Sequence, residues 1–557
     1  MPQGFYNYYL SRGIVSSVPT FDLTSRPWVP LMSQGVRVEV SLRDALIRSH
    51  EFEGLSLDQP PQVVALLRQV LLPTFWSAVG FPRSEDEWGR WWRAGRVDAD
   101  LVSAYLGEHA DRFDLFHPTQ PFAQVGGLRT AKDESKPVSL LFQGGAGASA
   151  AALFSARTDA DSPALTPPAA ARALLAAHCW DTAGIKSGAV GDAEVRGGKA
   201  YGAPTGPVGA LGVVIPMGTS LFETLMLNTP FMRHGLQRHD RPQWTAPVAT
   251  AVWNRRPAGG LLDLLTWQSR RIRLLPETDE HGATVVRRVV LCAGDRLAPL
   301  PEYEPHTAWR QVDKPGPGDP PRRPIRHQPG RATWRGLEPL LATRADIAQS
   351  TSTTRLLVQL AVLQVGEHVP ADLPLQVLTV GVRYGNQSAV VEDVMADSMP
   401  LPIAALLADS PARQLLLDVA DQADQLREAV NRLGDDIRLA SGGDKLPWDR
   451  SLRPGEVLLN DFTPVVRRLL AGLQREPAQV TGAKDAWRTT ARRIAWDSAE
   501  QVIAAAPPTA FLGRQQTERI VHRLSLAEAR FRATVNKLLG RAGADATDPP
   551  PIESGAA

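Results

Sequence analysis

Two stretches of the chain carry residue types suited to meeting a nucleic acid. Gly184-Ile185-Lys186-Ser187-Gly188-Ala189-Val190-Gly191 sets a lysine and a serine among glycines. Glycine has no side chain to hold a ligand away, so backbone amides there can approach a phosphate or a groove, with Lys186 alongside. Gly385-Asn386-Gln387-Ser388 lies between apolar runs at 377–382 and 389–391 and reads as a hairpin turn, with Gly385 and Asn386 supplying positive φ. A hairpin tip bearing two side-chain amides is also suited to probing base edges or wedging a duplex. A phosphate loop of the nucleotide-hydrolase type is excluded. Gly144-Gly145-Ala146-Gly147-Ala148-Ser149 lacks the Gly-Lys-Ser/Thr ending, and Ile185 stands where that motif needs glycine.

Catalytic sets are harder to find. His178-Cys179 closes a helix predicted over 169–177, and a cysteine in that place reads as a small buried hydrophobe rather than a nucleophile. The histidines show no HxxxH or HxH spacing for a metal, and no serine sits in a Gly-x-Ser-x-Gly elbow. No cofactor or metal is expected. Arg270, Arg271 and Arg273, with Arg287 and Arg288, form basic clusters on predicted strands, as a solvated face or as phosphate contacts. Arg322, Arg323 and Arg326 fall in a proline-rich loop at 313–331 and read as solvated.

The elements that must position these residues follow from length and patterning. The 557 residues suggest two to four domains, and 43% hydrophobic with 22% charged residues is a globular balance. Sixty-one Lys and Arg against 59 Asp and Glu give a net charge of +2, which neither announces nor excludes a nucleic-acid binder. Two cysteines exclude a disulfide framework and point to the cytoplasm. The start lacks the pattern of a signal peptide, and no run of about 18 apolar residues suggests a membrane span. Val36-Arg37-Val38-Glu39-Val40 alternates as a strand does, and Ser41 can cap a helix with Asp44 at its third position. Residues 60–110 read as mostly helical, with Trp88, Trp91 and Trp92 as packing residues. Residues 123–210 read as long irregular loops. From 401 to 540 four amphipathic helices, at 413–433, 457–473, 484–505 and 518–539, suggest a bundle. The expected division is a tail at 1–20, a mixed α/β domain at 21–400, the bundle at 401–540 and a tail at 541–557, an α+β chain overall.

Five segments in order also resemble a known family. They are Phe21-Asp22-Leu23 through Pro27-Trp28-Val29-Pro30-Leu31 to Val40-Ser41-Leu42-Arg43-Asp44; Phe113-Asp114-Leu115-Phe116 with Pro121-Phe122-Ala123-Gln124; Ser220-Leu221-Phe222-Glu223-Thr224-Leu225-Met226-Leu227-Asn228; Leu265-Thr266-Trp267-Gln268-Ser269-Arg270-Arg271-Ile272; and Tyr384-Gly385-Asn386-Gln387-Ser388-Ala389. Together they resemble the CasA family, the large subunit of the type I-E Cascade, a CRISPR RNA-guided surveillance complex. The resemblance implies an amino-terminal domain of unusual topology and a carboxy-terminal four-helix bundle. It implies a non-catalytic subunit that finds the protospacer-adjacent motif in double-stranded DNA and helps open the duplex for the guide RNA. It further implies contact with other Cascade subunits and docking of a trans-acting nuclease–helicase. Carried over by position, the wedging glutamine is Gln387, with Asn386 beside it. The motif-reading loop is the 184–191 stretch with Lys186, Ser187 and Gly188. Arg296 stands in for a minor-groove lysine. A loop within 129–160, including Arg129, Lys132 and Lys136, contacts the motif region and the guide end. The paired cysteines of some members are missing here, so no metal is implied. Two other classes remain open: a cytosolic enzyme with an unseen site, and a helical adaptor with protein partners alone.

Overall fold

The computed structural model describes residues 19–141, 163–232, 239–316, 318–328, 330–342, 351–445, 453–517 and 520–540. The Gly144–Ser149 stretch, most of the 1–20 tail and the 541–557 tail lie outside the described residues. The chain forms two compact units. The first comprises Met1–Val213, Thr219–Glu304 and Val380–Met395; the second comprises Val214–Gly218, Pro305–Thr379 and Ala396–Ala557. The helices from 411 onward therefore share their unit with 305–379, where a single cut at 400 was expected.

In the first unit Val29–Ser33 pairs antiparallel with Val36–Val40, the alternating segment, and with Gly54–Leu55. Ser41 caps the helix Leu42–Ile47, its Oγ accepting from the Asp44 N–H at 3.0 Å. The stretch Pro60–Val79 is helical and apolar enough by composition to cross a membrane, although the sequence showed no such run. Most of it is buried in the core, where Val64, Leu71 and Trp76 lie. It contains a π-helical turn, Leu67–Leu71, and from that turn Arg68 donates to both carboxylate oxygens of buried Glu304, at 2.7 and 2.8 Å. Trp88 is fully buried and stacks on Trp92, as the packing reading expects.

A five-stranded sheet carries Lys136, Lys186 and Ser187 together with the arginines at 270, 271, 273, 287 and 288. Its long strand Thr284–Ala293 pairs along one edge with Arg270–Thr278. Its other edge pairs with Lys136–Pro137 and, at Cys292, in parallel with Gly184–Ser187. Gly184–Ser187 pairs in turn with Lys199–Ala203. Part of the region read as irregular is thus sheet.

In the second unit the long helices are Pro411–Ala440, Pro454–Arg475, Val480–Ala504 and Leu524–Leu539. Leu416, Val419, Leu426 and Val430 recur at helical spacing on the buried face of the first. Phe462 and Trp487 meet at 5.2 Å between ring centroids, and the Trp487 indole donates to Gln422 at 2.8 Å. The fourth helix starts later than expected. Gly513, at φ 78°, ends a short helix, and Arg514–Thr517 with Ile520–His522 form a two-stranded ladder before the helix begins. The pair Ile520-Val521, both β-branched, favours strand there.

Candidate nucleic-acid interface

The first unit brings most of the candidate segments together. Gly184–Ser187 is a strand with partners on both edges, where an open glycine loop was expected. Beyond it, the Gly188 N–H donates to the Gly198 carbonyl at 2.9 Å, and the Gly188 carbonyl accepts from Ala131 at 3.1 Å. A Cβ on Gly188 would sit 2.4 Å from a Val195 methyl, so glycine there serves close packing. The Val190 N–H donates to the Arg129 carbonyl at 2.9 Å, and Thr130 bridges Ala189. Exposed Arg129 and Lys132 therefore stand beside the 188–190 turn, and exposed Lys136 pairs with Val289 on the same sheet.

Lys186 is placed differently from its expected role. Its ammonium lies 2.7 Å from the Asp181 carboxylate, and the two side chains are only 11% and 12% exposed. Arg270, 1% exposed, donates through Nε to the same carboxylate oxygen. Its other nitrogens donate to the carbonyls of Ser269, Thr182 and Pro204 at 2.7, 2.8 and 2.7 Å. Burial opposes ionisation of Asp181, yet the Arg270 and Lys186 charges outweigh it and hold the carboxyl below its ordinary value. Burial lowers Lys186 despite Asp181. Arg271 is also buried, donating to Asp295 at 2.7 Å and to the Val252 carbonyl at 2.9 Å. These two arginines are internal struts, neither a solvated face nor phosphate contacts. Their counter-charges are Asp181 and Asp295, distant in sequence. Exposed Arg287 and Arg288 remain on the surface, paired with Glu277 and Ser135.

The hairpin of strands Gln376–Tyr384 and Val391–Pro400 ends in a short 3-10 turn, Asn386–Ser388. Its positive φ values fall on Gln387 (53°) and Ser388 (56°), whereas Gly385 has φ −74°. The turn expected from Gly385 and Asn386 is therefore displaced by two residues. The Ser388 and Gly385 N–H groups close it instead, donating to the carbonyls of Gly385 and Val390, both at 2.9 Å. A left-handed non-glycine residue costs roughly 1 kcal/mol or more. Asn386 and Gln387 are exposed at the tip. The Ser388 carbonyl accepts from the Ala183 N–H at 2.9 Å, and the Tyr384 hydroxyl donates to the Trp180 carbonyl at 2.6 Å. The amide-bearing tip is thus fastened to the residues that lead into Gly184–Ser187.

Arg296 lies outside that sheet, in a two-stranded parallel ladder of Arg296–Leu297 with Arg255–Arg256. Its guanidinium stacks 3.8 Å from the Trp253 ring centroid and donates to the Tyr201 carbonyl at 2.5 Å. Tyr201 is 51% exposed and Ile185 57% exposed on neighbouring strands, beside exposed Lys199 and Arg255. Sequence reading missed Tyr201 and Trp253, whose only signal is an aromatic near a basic residue, and Asp181, which stands alone in sequence. Cys179 and Cys292 are buried, and burial pushes both thiols up to about 12. His178 is buried and lowered to about 4 by desolvation. Neither thiol is poised as a nucleophile. No group of three or more His, Cys, Asp or Glu able to hold a metal occurs among the described residues.

Residues 22–498 match the family described as CRISPR-associated protein Cse1. A curated relative, CRISPR-associated protein CasA/Cse1 of Thermus thermophilus, is 32% identical over 275 residues, which are 48% of this chain and 51% of that protein. The aligned part thus spans about half the relative's length. The crystal structure of Thermobifida fusca Cse1 is 32% identical with a TM-score of 0.82, covering 94% of this chain and 99% of that one. A chain from a structure described as a CRISPR RNA-guided surveillance complex shares the fold at 22% identity, with a TM-score of 0.67 over 93% of this chain and 99% of that one.

Proposed function

The chain belongs to the family of CRISPR-associated protein Cse1, and on that premise we propose that it is the large, non-catalytic subunit of a type I-E surveillance complex in the cytoplasm. Guide RNA and the other Cascade subunits supply sequence readout by base pairing, so this subunit need recognise only a short motif in double-stranded DNA. It then helps open the duplex and recruits a nuclease–helicase. The observation that carries this reading is the exposed Asn386–Gln387 tip, hydrogen-bonded at its base to the residues entering the Gly184–Ser187 strand.

The roles divide as follows. Gln387 wedges at the first base pair beyond the motif, with Asn386 next to it. Unpairing one step costs roughly a few kcal/mol, offset by the RNA–DNA pairing downstream. Ser187, Gly188 and the turn after them set the backbone that faces the minor groove, whose degenerate pattern suits a reader of several motifs. Lys186 holds that backbone through Asp181. Arg296, seated on Trp253 and bonded to the Tyr201 carbonyl, reaches the groove from beside the sheet. Arg129, Lys132 and Lys136 contact phosphates of the motif region or of the guide end. A net charge of +2 fits a subunit that shares its nucleic acid with partners.

The test is Gln387→Ala in the complete complex with guide RNA. Subunit assembly, followed by size exclusion, stays intact. Duplex opening, followed by 2-aminopurine fluorescence beside the motif, falls roughly tenfold, as expected for about 1.4 kcal/mol of lost wedge stabilisation. Unchanged opening removes the wedge role.

A further inference from the structure

The segment Trp180–Lys186 is gripped from two sides. On one side stands the hairpin. The Tyr384 hydroxyl donates to the Trp180 carbonyl at 2.6 Å, and the Ala183 N–H donates to the Ser388 carbonyl at 2.9 Å. On the other side stands the buried charge cluster. Arg270 reaches the Asp181 carboxylate and the Thr182 carbonyl, and Lys186 closes on Asp181 at 2.7 Å. The Gly206 N–H fixes the Asp181 carbonyl at 2.9 Å. Two glycines let a neighbouring turn press close, Gly206 against the start of this segment and Gly209 against Tyr384 of the hairpin. A Cβ on Gly206 would lie 2.3 Å from the Cys179 carbonyl oxygen, and one on Gly209 would lie 2.2 Å from the Tyr384 hydroxyl.

A chain segment held so closely cannot shift at one end without disturbing the other, because packed interiors transmit displacement instead of absorbing it. We propose that Trp180–Lys186 is a coupling bracket: it holds the duplex-opening hairpin and the motif-facing strand in fixed register, with Tyr384, Asp181 and Arg270 as positioning residues. The inference rests on the reading of Gln387 as the wedge. None of the three positioning residues needs to touch DNA. Their task is to hold Gln387 at the height of the first base pair when Ser187 and the following turn face the motif. One neutral hydrogen bond contributes about 0.5–1.5 kcal/mol, so losing the Tyr384 hydroxyl should slacken the hairpin without unfolding the sheet.

The experiment uses the complete complex with guide RNA and three versions of this subunit: parent, Tyr384→Phe and Gln387→Ala. Each meets two targets, a fully paired duplex and one already unpaired over the first few positions beyond the motif. Tyr384→Phe should slow opening of the paired duplex about three- to tenfold, the equivalent of one hydrogen bond. On the pre-opened target it should match the parent, with motif discrimination unchanged. Adding Tyr384→Phe to Gln387→Ala should cause no further loss, because the bracket acts only through the wedge. A merely structural role would lower binding to both targets and would multiply with Gln387→Ala; either result overturns the proposal. If Tyr384→Phe opens the paired duplex at the parent rate while Gln387→Ala is defective, the bracket fails and the wedge stands. If Gln387→Ala itself opens at the parent rate, the wedge reading fails, and the bracket with it.

Discussion

Replacing Asp181 by asparagine should destabilise the first unit far more than replacing Lys186 by methionine. Asp181 is the carboxylate that balances Arg270, a guanidinium only 1% exposed. Removing one partner of a buried ion pair leaves an uncompensated charge and costs about 3–5 kcal/mol. Arg270 keeps the carbonyls of Ser269, Thr182 and Pro204, which places the loss at the lower end, about 3 kcal/mol. Lys186→Met removes the other cation but leaves Asp181 with Arg270, and it adds an apolar side chain to a site only 11% exposed. Its cost should be within about 1 kcal/mol. Urea unfolding monitored by tryptophan fluorescence measures both. The pH dependence supplies an internal check. The Asp181 carboxyl is held below its ordinary value, so its stabilisation is present above the unfolded-chain value and is lost as pH falls through the folded one. The gap between the parent and Asp181→Asn should therefore be flat from about pH 5 to 8 and narrow only in stronger acid. Equal stability of Asp181→Asn and the parent refutes the reasoning, as does a Lys186→Met loss as large as that of Asp181→Asn.

Two further outcomes follow from packing. Cys179 and Cys292 should be silent to a thiol-exchange reagent at about pH 8 in the folded protein and titrate fully in denaturant, since burial pushes both to about 12; reaction within seconds in the folded state contradicts their burial. Gly209→Ala should lower the thermal midpoint by an amount equivalent to about 1–3 kcal/mol, because its Cβ would fall 2.2 Å from the Tyr384 hydroxyl; an unchanged midpoint shows that Tyr384 moves aside freely.

Local chemistry made some of this structure legible in the sequence. The alternation of 36–40, the Ser41 cap and the leucine spacing of the long helices each act over a few residues, and each forms as read. The hairpin was legible from its apolar flanks, but its turn was not. Gly385 and Asn386 looked like the left-handed pair, whereas closure by the Gly385 and Val390 carbonyls puts that conformation on Gln387 and Ser388. Arg270 and Arg271 were illegible for a different reason. Their fate depends on Asp181, 89 positions away, and on Asp295, 24 positions away. Periodicity cannot report such distances. Lys186 finds its carboxylate only five positions away, but whether Asp181 turns inward is decided by Arg270, 89 positions off, so its burial is no more legible. The late start of the last helix reflects Ile520-Val521, whose strand preference competes with the helical pattern around it.

The order in which the first unit's pieces appear along the chain has a consequence for its synthesis. Tyr384 and the Trp180 carbonyl it reaches are 204 residues apart. At about 5–20 residues per second, a ribosome takes roughly 10–40 s to make the intervening chain. During that interval the Pro167–Trp180 helix can form, and the Gly184–Ser187 strand can join its sheet once Thr284–Ala293 has been made, but the hairpin that completes them is still missing, and most of Pro305–Thr379 emerges first. The nascent unit therefore waits with one edge unfinished, and it closes only when Val380–Met395 is delivered from the far side of another unit's sequence.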